Sequence, residues 1–182
     1  MDSLQKILKG CLKHRKADQY RLYALFSKRM FGLCQRYAAS YDEAQDILQE
    51  GFIKVFEQLP SYKGKGSMEA WIRRIFINTA IEKYRQRIYH LSLDDVVDYE
   101  SHVNQNHGPG SLNTKDILAY VQALPAQYRL VFNLYVLEGY SHKEIAETLD
   151  ISESTSRSNL ARARMLLKDK LGKEMKVVYR AI

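Results

Sequence analysis

Arg74, Asn78 and Arg85 stand at i, i+4 and i+11 in the stretch GSMEAWIRRIFINTAIEKYRQR, residues 66–87, with Trp71 at the edge of the line they form. In a helix, about 100° per residue puts them on one side. Directly upstream, SYKGKGS (residues 61–67) supplies Tyr62, Lys63, Lys65, Ser67 and two glycines. Cations draw in phosphate, while an aromatic plane and amide side chains hold an unstacked base by stacking and edge hydrogen bonds. Together these residue types suit binding of single-stranded nucleic acid. Ile72, Ile75, Phe76, Thr79 and Ala80 share a different arc, the pattern of a buried face. A solvated helix end beside a core tryptophan is the competing reading, and it gives no reason for a large planar ring next to the cations.

A second basic cluster lies in YSHKEIAETLDISESTSRSNLARARMLL, residues 140–167. It fits a helix-turn-helix. Ala146 is small enough for two helices to approach, Leu149, Ile151 and Leu160 fill the angle between them, and Ser152 caps the second helix after a turn through Asp150. That second helix is expected to expose Arg157, Ser158, Asn159, Arg162 and Arg164. In a major groove, arginine suits guanine edges and asparagine suits adenine edges, with Ser154, Thr155 and Arg164 placed for phosphate. An ordinary helical hairpin with a charged outer face is the alternative. An enzyme built on His142 and Glu144 is disfavoured, because residues at i and i+2 do not face each other on a helix. With no metal set or nucleophile elbow, neither catalysis nor a cofactor is expected.

The elements that must position these groups read as helices throughout. SYDE from Ser40 and SHKE from Ser141 have the form of capping boxes, each opening an amphipathic run. The spacing predicts helices over 3–13, 16–39, 41–59 and 67–89, then over 114–124, 126–138, 142–149 and 153–171. No stretch alternates as a strand would. The expected fold class is therefore all-α: two small helical domains, residues 1–90 and 113–182, the second containing the helix-turn-helix. Between them residues 91–112 carry turn formers and acids and few large apolar groups, as a flexible acidic linker would.

Charge follows the same division. Residues 1–90 carry +8, residues 91–112 carry −4 and residues 113–182 carry +3, out of a net +7. Two basic blocks flanking an acidic connector suit a polyanionic partner. The longest apolar runs, such as Leu130 to Leu137, fall well short of the roughly 20 residues of a membrane span. No membrane insertion is expected, and the start MDSLQKILKG lacks a signal-peptide core, which points to the cytoplasm. Cys11 and Cys34 form no CxxC pair, so buried free thiols are expected and structural zinc is not.

Both blocks, in this order, resemble a bacterial RNA polymerase sigma factor of the extracytoplasmic-function (ECF) type within the sigma-70 family. YDEAQDILQEGFIKVFEQL, from Tyr41, is similar to the family's core-polymerase-binding helix, and SMEAWIRRIFINTAIEKYR, from Ser67, to its promoter-melting helix. LPAQYRLVFNLYVLEGYSHKEIAETLDISESTSRSNLARAR, from Leu124, is similar to the domain that reads the upstream element. The resemblance implies a dissociable subunit that directs promoter-specific initiation. It implies that Asp46, Gln49, Glu50 and Phe52 meet the clamp helices of the largest polymerase subunit. It places Tyr62 to Met68, with Lys63, Lys65 and Ser67, in the loop that captures a flipped minus-ten base, Asn78 beside it, and Trp71, Arg73 and Arg74 on the opening duplex. Arg157, Ser158, Ala161 and Arg162 match positions that read the minus-thirty-five element. Promoter DNA, core RNA polymerase (clamp helices and the flap region of the second-largest subunit) and an inhibitory anti-sigma factor are the partners the resemblance admits.

Three positions depart from the family pattern: Asp150 stands where glycine is frequent, Ser156 where an apolar residue is, and Asn159 where arginine is. They put the promoter sequence in doubt more than the fold. Only a short tail, KEMKVVYRAI, follows, so an attached sensing module is not expected. A helix-turn-helix regulator of duplex operators, acting without polymerase, would account for the second block alone and leave Trp71, Asn78 and the glycine-lysine loop unused. A pure protein-interaction adaptor would use neither basic block.

Overall fold

The computed structural model describes residues 4–91 and 114–180, and every element within them is helical. Backbone contacts divide the chain into two units, Met1–Tyr89 and His90–Ile182. From residue 92 on, the connector expected over 91–112 lies outside the described residues.

In the first unit, α1 (Leu4–Leu12) packs on α2 (Lys16–Tyr37), α2 packs on α3 (Tyr41–Gln58), and a short 3-10 turn at Leu59–Ser61 leads towards α4 (Met68–Leu91). Ser40 starts α3 as its sequence foretells: the backbone is extended and Oγ accepts from Glu43 N at 3.1 Å. The carboxylate of Glu43 reaches back to Ala39 N rather than to Ser40 N, one residue beyond the expected reciprocal bond. Leu22, Phe26, Met30, Leu33, Ile47, Val55, Ile72 and Phe76 form the core. Each such side chain contributes about 1.5–3 kcal/mol by leaving water. Phe52 meets Tyr23 (ring centroids 4.7 Å) and Phe76 edge-on (5.3 Å). Thr79, buried on the same face of α4, returns its hydroxyl to Ile75 O at 2.9 Å, which removes the cost of burying it.

The second unit contains α5 (Thr114–Gln122), α6 (Ala126–Phe132), a π-helical turn (Asn133–Leu137), α7 (His142–Leu149) and α8 (Glu153–Arg180). Its core is Leu124, Leu130, Val131, Leu134, Ile145, Leu160 and Ala163. The expected unbroken helix over 126–138 is interrupted. Glu138 N bonds to Asn133 O at 3.1 Å, five residues back, so the last turn widens. Arg129 is buried and donates to Gln122 O and Leu124 O, a cation satisfying the carbonyls where α5 ends. Ser141 and Glu144 form the complete capping box at the start of α7, with Ser141 N to Glu144 Oε2 at 2.8 Å and Glu144 N to Ser141 Oγ at 3.2 Å.

Candidate nucleic-acid interface

The loop before α4 is folded onto the helix it precedes. Gly64 (φ 70°) and Gly66 (φ 82°) take left-handed backbone that a side chain would strain, and so turn the loop tightly. Tyr62 donates its hydroxyl to Gly66 O at 3.1 Å, and its ring lies 5.1 Å from that of Trp71 at 47°. Ser67 Oγ accepts from Ala70 N at 3.1 Å and caps α4. Lys63 and Lys65 are exposed, as are Arg74, Asn78 and Arg85, while Trp71 and Arg73 are half-buried. Arg74, Asn78 and Arg85 are thus exposed along one side of α4, and the Tyr62–Trp71 ring pair joins the lysine-bearing loop to that helix. Met68 does not join them: it is buried, at 4% exposure.

The next helix face is acidic. Asp46, Gln49 and Glu50 of α3 are exposed or half-buried on one side. Phe52 is off that side; six residues from Asp46 is about 240° around the helix, and the ring is in the core at 4% exposure. The apolar group on the acidic side is Ile53, 49% exposed, which helical spacing marks but the sequence reading passed over. Lys54 and Lys83 bracket Glu50 at 2.9 Å each. Burial works against the Glu50 charge, yet hydrogen bonds from Lys83 and Lys54 outweigh it and hold the carboxyl below its usual range.

In the second unit α7 and α8 form the helix-turn-helix. Asp150 ends α7 in left-handed conformation (φ 55°, ψ 50°), and Ser152 Oγ accepts from Thr155 N at 3.0 Å to cap α8. Ile145 and Leu160 are buried between the helices. Ser154, Arg157, Ser158, Ala161, Arg162 and Arg164 are exposed and Thr155 is half-buried. Asn159 corrects the expectation. It is 5% exposed, turned into the unit with Nδ2 buried and without a hydrogen-bond partner, and does not join the exposed side of α8. The arginines are held in place: Arg157 by Glu153 (2.8 Å), Arg162 by the Tyr128 hydroxyl (3.0 Å) and Arg164 over the Tyr135 ring (5.9 Å to its centroid). The tyrosine partners lie outside the motif, on α6 and the π turn, so no local pattern announced them.

A helical chain with an exposed cation, aromatic and amide surface in one unit and a helix-turn-helix in the other defines a DNA-binding transcription protein. The sigma-70 region 2 model matches residues 22–88 and the sigma-70 region 4 model matches residues 114–167. The ECF RNA polymerase sigma factor SigE of Mycolicibacterium smegmatis is 31% identical over 152 residues, 80% of this chain and 58% of that longer protein. The ECF RNA polymerase sigma-E factor of Escherichia coli is 28% identical over 172 residues, 86% of this chain and 90% of that protein. Among solved structures, the sigma factor RpoE from Bartonella quintana, in a co-crystal with the anti-sigma factor NepR, shares the fold. Its TM-score is 0.57 at 23% identity, covering 85% of this chain and 97% of that one. The chain belongs to the ECF group of the sigma-70 family. It is a sigma factor, binding core RNA polymerase and directing promoter-specific initiation, in a family of non-catalytic initiation factors. A regulator that ignores polymerase leaves the match over residues 22–88 without an explanation.

Proposed function

We propose that the first unit docks on polymerase and opens the promoter, while the second sets the register upstream. The acidic side of α3 (Asp46, Gln49 and Glu50, with Ile53 as its apolar contact) meets the basic clamp helices of the largest subunit. Complementary charge there speeds and orients docking. The loop from Tyr62 to Ser67 and the α4 residues Trp71, Arg73, Arg74, Asn78 and Arg85 then take unpaired non-template bases of the minus-ten element. Stacking one base on an aromatic ring contributes about 1–3 kcal/mol, enough to offset much of the few kcal/mol lost on unstacking it.

On the second unit, Arg157, Ser158, Ala161 and Arg162 read the minus-thirty-five element in the major groove, with Ser154, Thr155 and Arg164 on phosphate. The flap region of the second-largest subunit is its place on the enzyme. Because both units share one chain, docking of the first raises the effective concentration of the second at its site. An anti-sigma factor is a further partner of this chain, as NepR is of the Bartonella protein.

The observation that carries the melting role is the Tyr62–Trp71 ring pair, 5.1 Å apart, beside exposed Lys63, Lys65 and Asn78. Run-off transcription of genomic fragments with purified core enzyme tests it. Adding the wild-type chain gives new start sites. Trp71→Ala or Asn78→Ala abolishes them while polymerase binding persists; transcripts unchanged by both substitutions refute the melting role.

A further inference from the structure

Glu82 lies four residues after Asn78 and three before Arg85, so α4 carries a carboxylate among the groups that face nucleic acid. A carboxylate there repels phosphate, and its presence needs an account. Lys54 supplies one from the neighbouring helix: its Nζ pairs with Glu82 Oε2 at 2.5 Å and with Glu50 Oε1 at 2.9 Å. Glu50 Oε2 in turn pairs with Lys83 Nζ at 2.9 Å. Charges therefore alternate along the row Glu82, Lys54, Glu50, Lys83, which crosses from α4 to α3 and back. Lys54 is the most sheltered of the four, its side chain 22% exposed against 52% for Glu82. Burial pulls the Lys54 ammonium down, yet hydrogen bonds to Glu82 and Glu50 outweigh it and hold its pKa above the usual value.

We propose that Lys54 is the counter-ion that lets this face of α4 accept a single strand, and that Glu50 competes for the same ammonium. Lys54 is thus a positioning residue; it does not itself need to touch DNA. The second half rests on the reading of Glu50 as part of the polymerase-docking face. When a basic partner takes Glu50, Lys54 is left with Glu82 alone, and the carboxylate on the DNA face is neutralised more fully. Docking on polymerase then favours strand capture through one shared side chain. The pairs are partly exposed and screened by salt, so the effect is a few-fold change.

The test uses the full chain and a dye-labelled single-stranded oligonucleotide of mixed sequence, read by anisotropy at low salt with and without core polymerase. Mixed sequence suffices because the term is electrostatic. Lys54→Met is expected to weaken binding about three- to fivefold, Lys54→Arg to change it less than about twofold, and Glu82→Gln added to Lys54→Met to restore it. Glu50→Gln should strengthen binding by the free chain about twofold, more than Glu57→Gln, which removes the same charge further along α3 without touching the row. With polymerase bound, that advantage disappears.

Equal binding by Lys54→Met and its double variant overturns the counter-ion, and equal gains from Glu50→Gln and Glu57→Gln overturn the competition. Affinity of Glu50→Gln for core polymerase is measured separately. If it is unchanged, the docking assignment fails while the Lys54 and Glu82 pairing is judged on its own cycle.

Discussion

His142 Nδ1 lies 2.9 Å from Ser156 Oγ, joining the first residue of α7 to the fully buried side of α8. The imidazole is also stacked on Tyr135, with centroids 4.5 Å apart and 24° between planes. Ser156 thus fills a position where the family often has an apolar residue, and its hydroxyl is satisfied by a side chain from the facing helix. Burial, followed by the charge of Arg157, pushes His142 below its ordinary value of 6.5. A depressed folded-state pKa means that stability is complete above about pH 6.5 and is lost as pH falls from there through the folded-state value. Hydrogen exchange of the α7 amides should accelerate as the pH falls below about 6.5, after correction for intrinsic rates. In His142→Gln that extra acceleration is expected to vanish.

Tyr128 sets the direction of Arg162. Its hydroxyl accepts from Nη1 at 3.0 Å, and the guanidinium carbon stands 6.0 Å from the ring centroid. Tyr128→Phe keeps the ring and removes the acceptor, a hydrogen bond of about 0.5–1.5 kcal/mol. Selection of promoter sequences with reconstituted holoenzyme should show preference relaxed at one base pair by about two- to tenfold. Affinity for unrelated duplex should not change, because phosphate contacts are untouched.

The helices were readable because capping residues and apolar spacing agree along most of the chain: Ser40, Ser141 and Ser152 each begin a helix at the residue expected. The π turn was not, since a shift of partner by one residue leaves no trace in a run as apolar as Asn133–Leu137. Asn159 was misjudged because a polar residue beside arginines reads as exposed, whereas α6 packs closely on α8. Phe52 is a different kind of miss. Its angle from Asp46 already put it off the acidic side, and the same count would have found Ile53. The pairs that hold Arg162 and Glu82 depend on which helices meet, and a periodic pattern carries no such information.

Gly51 measures how closely α3 and α4 approach. A Cβ built there would come within 2.5 Å of Phe76 Cε1, inside a core already filled by Phe52. Gly51→Ala should therefore destabilise the first unit by about 1–3 kcal/mol through overpacking. Gly32 on α2 has nothing within 4 Å of the same added atom. Gly32→Ala should stabilise by about 0.5–1 kcal/mol, because alanine loses less chain entropy in a helix. Urea unfolding followed by the fluorescence of Trp71 separates the two, and a shift of the same sign in both would contradict the packing described.

Asp150 carries the turn of the helix-turn-helix at φ 55°, with its own N–H and that of Ile151 both directed to Ala146 O. Aspartate tolerates this conformation better than most side chains but still bears part of the roughly 1–2 kcal/mol that left-handed backbone costs an L-residue. Asp150→Gly removes that cost and adds up to about 1 kcal/mol of chain entropy in the unfolded state. The expected net change is small, between zero and about 1 kcal/mol of stabilisation. Asp150→Val has no such compensation, because a β-branched side chain fits positive φ poorly, and should lose about 1–2 kcal/mol. Hydrogen exchange at α7 and the start of α8 provides the measurement. A glycine variant much less stable than wild type would mean that the aspartate side chain, rather than the backbone it tolerates, holds the turn.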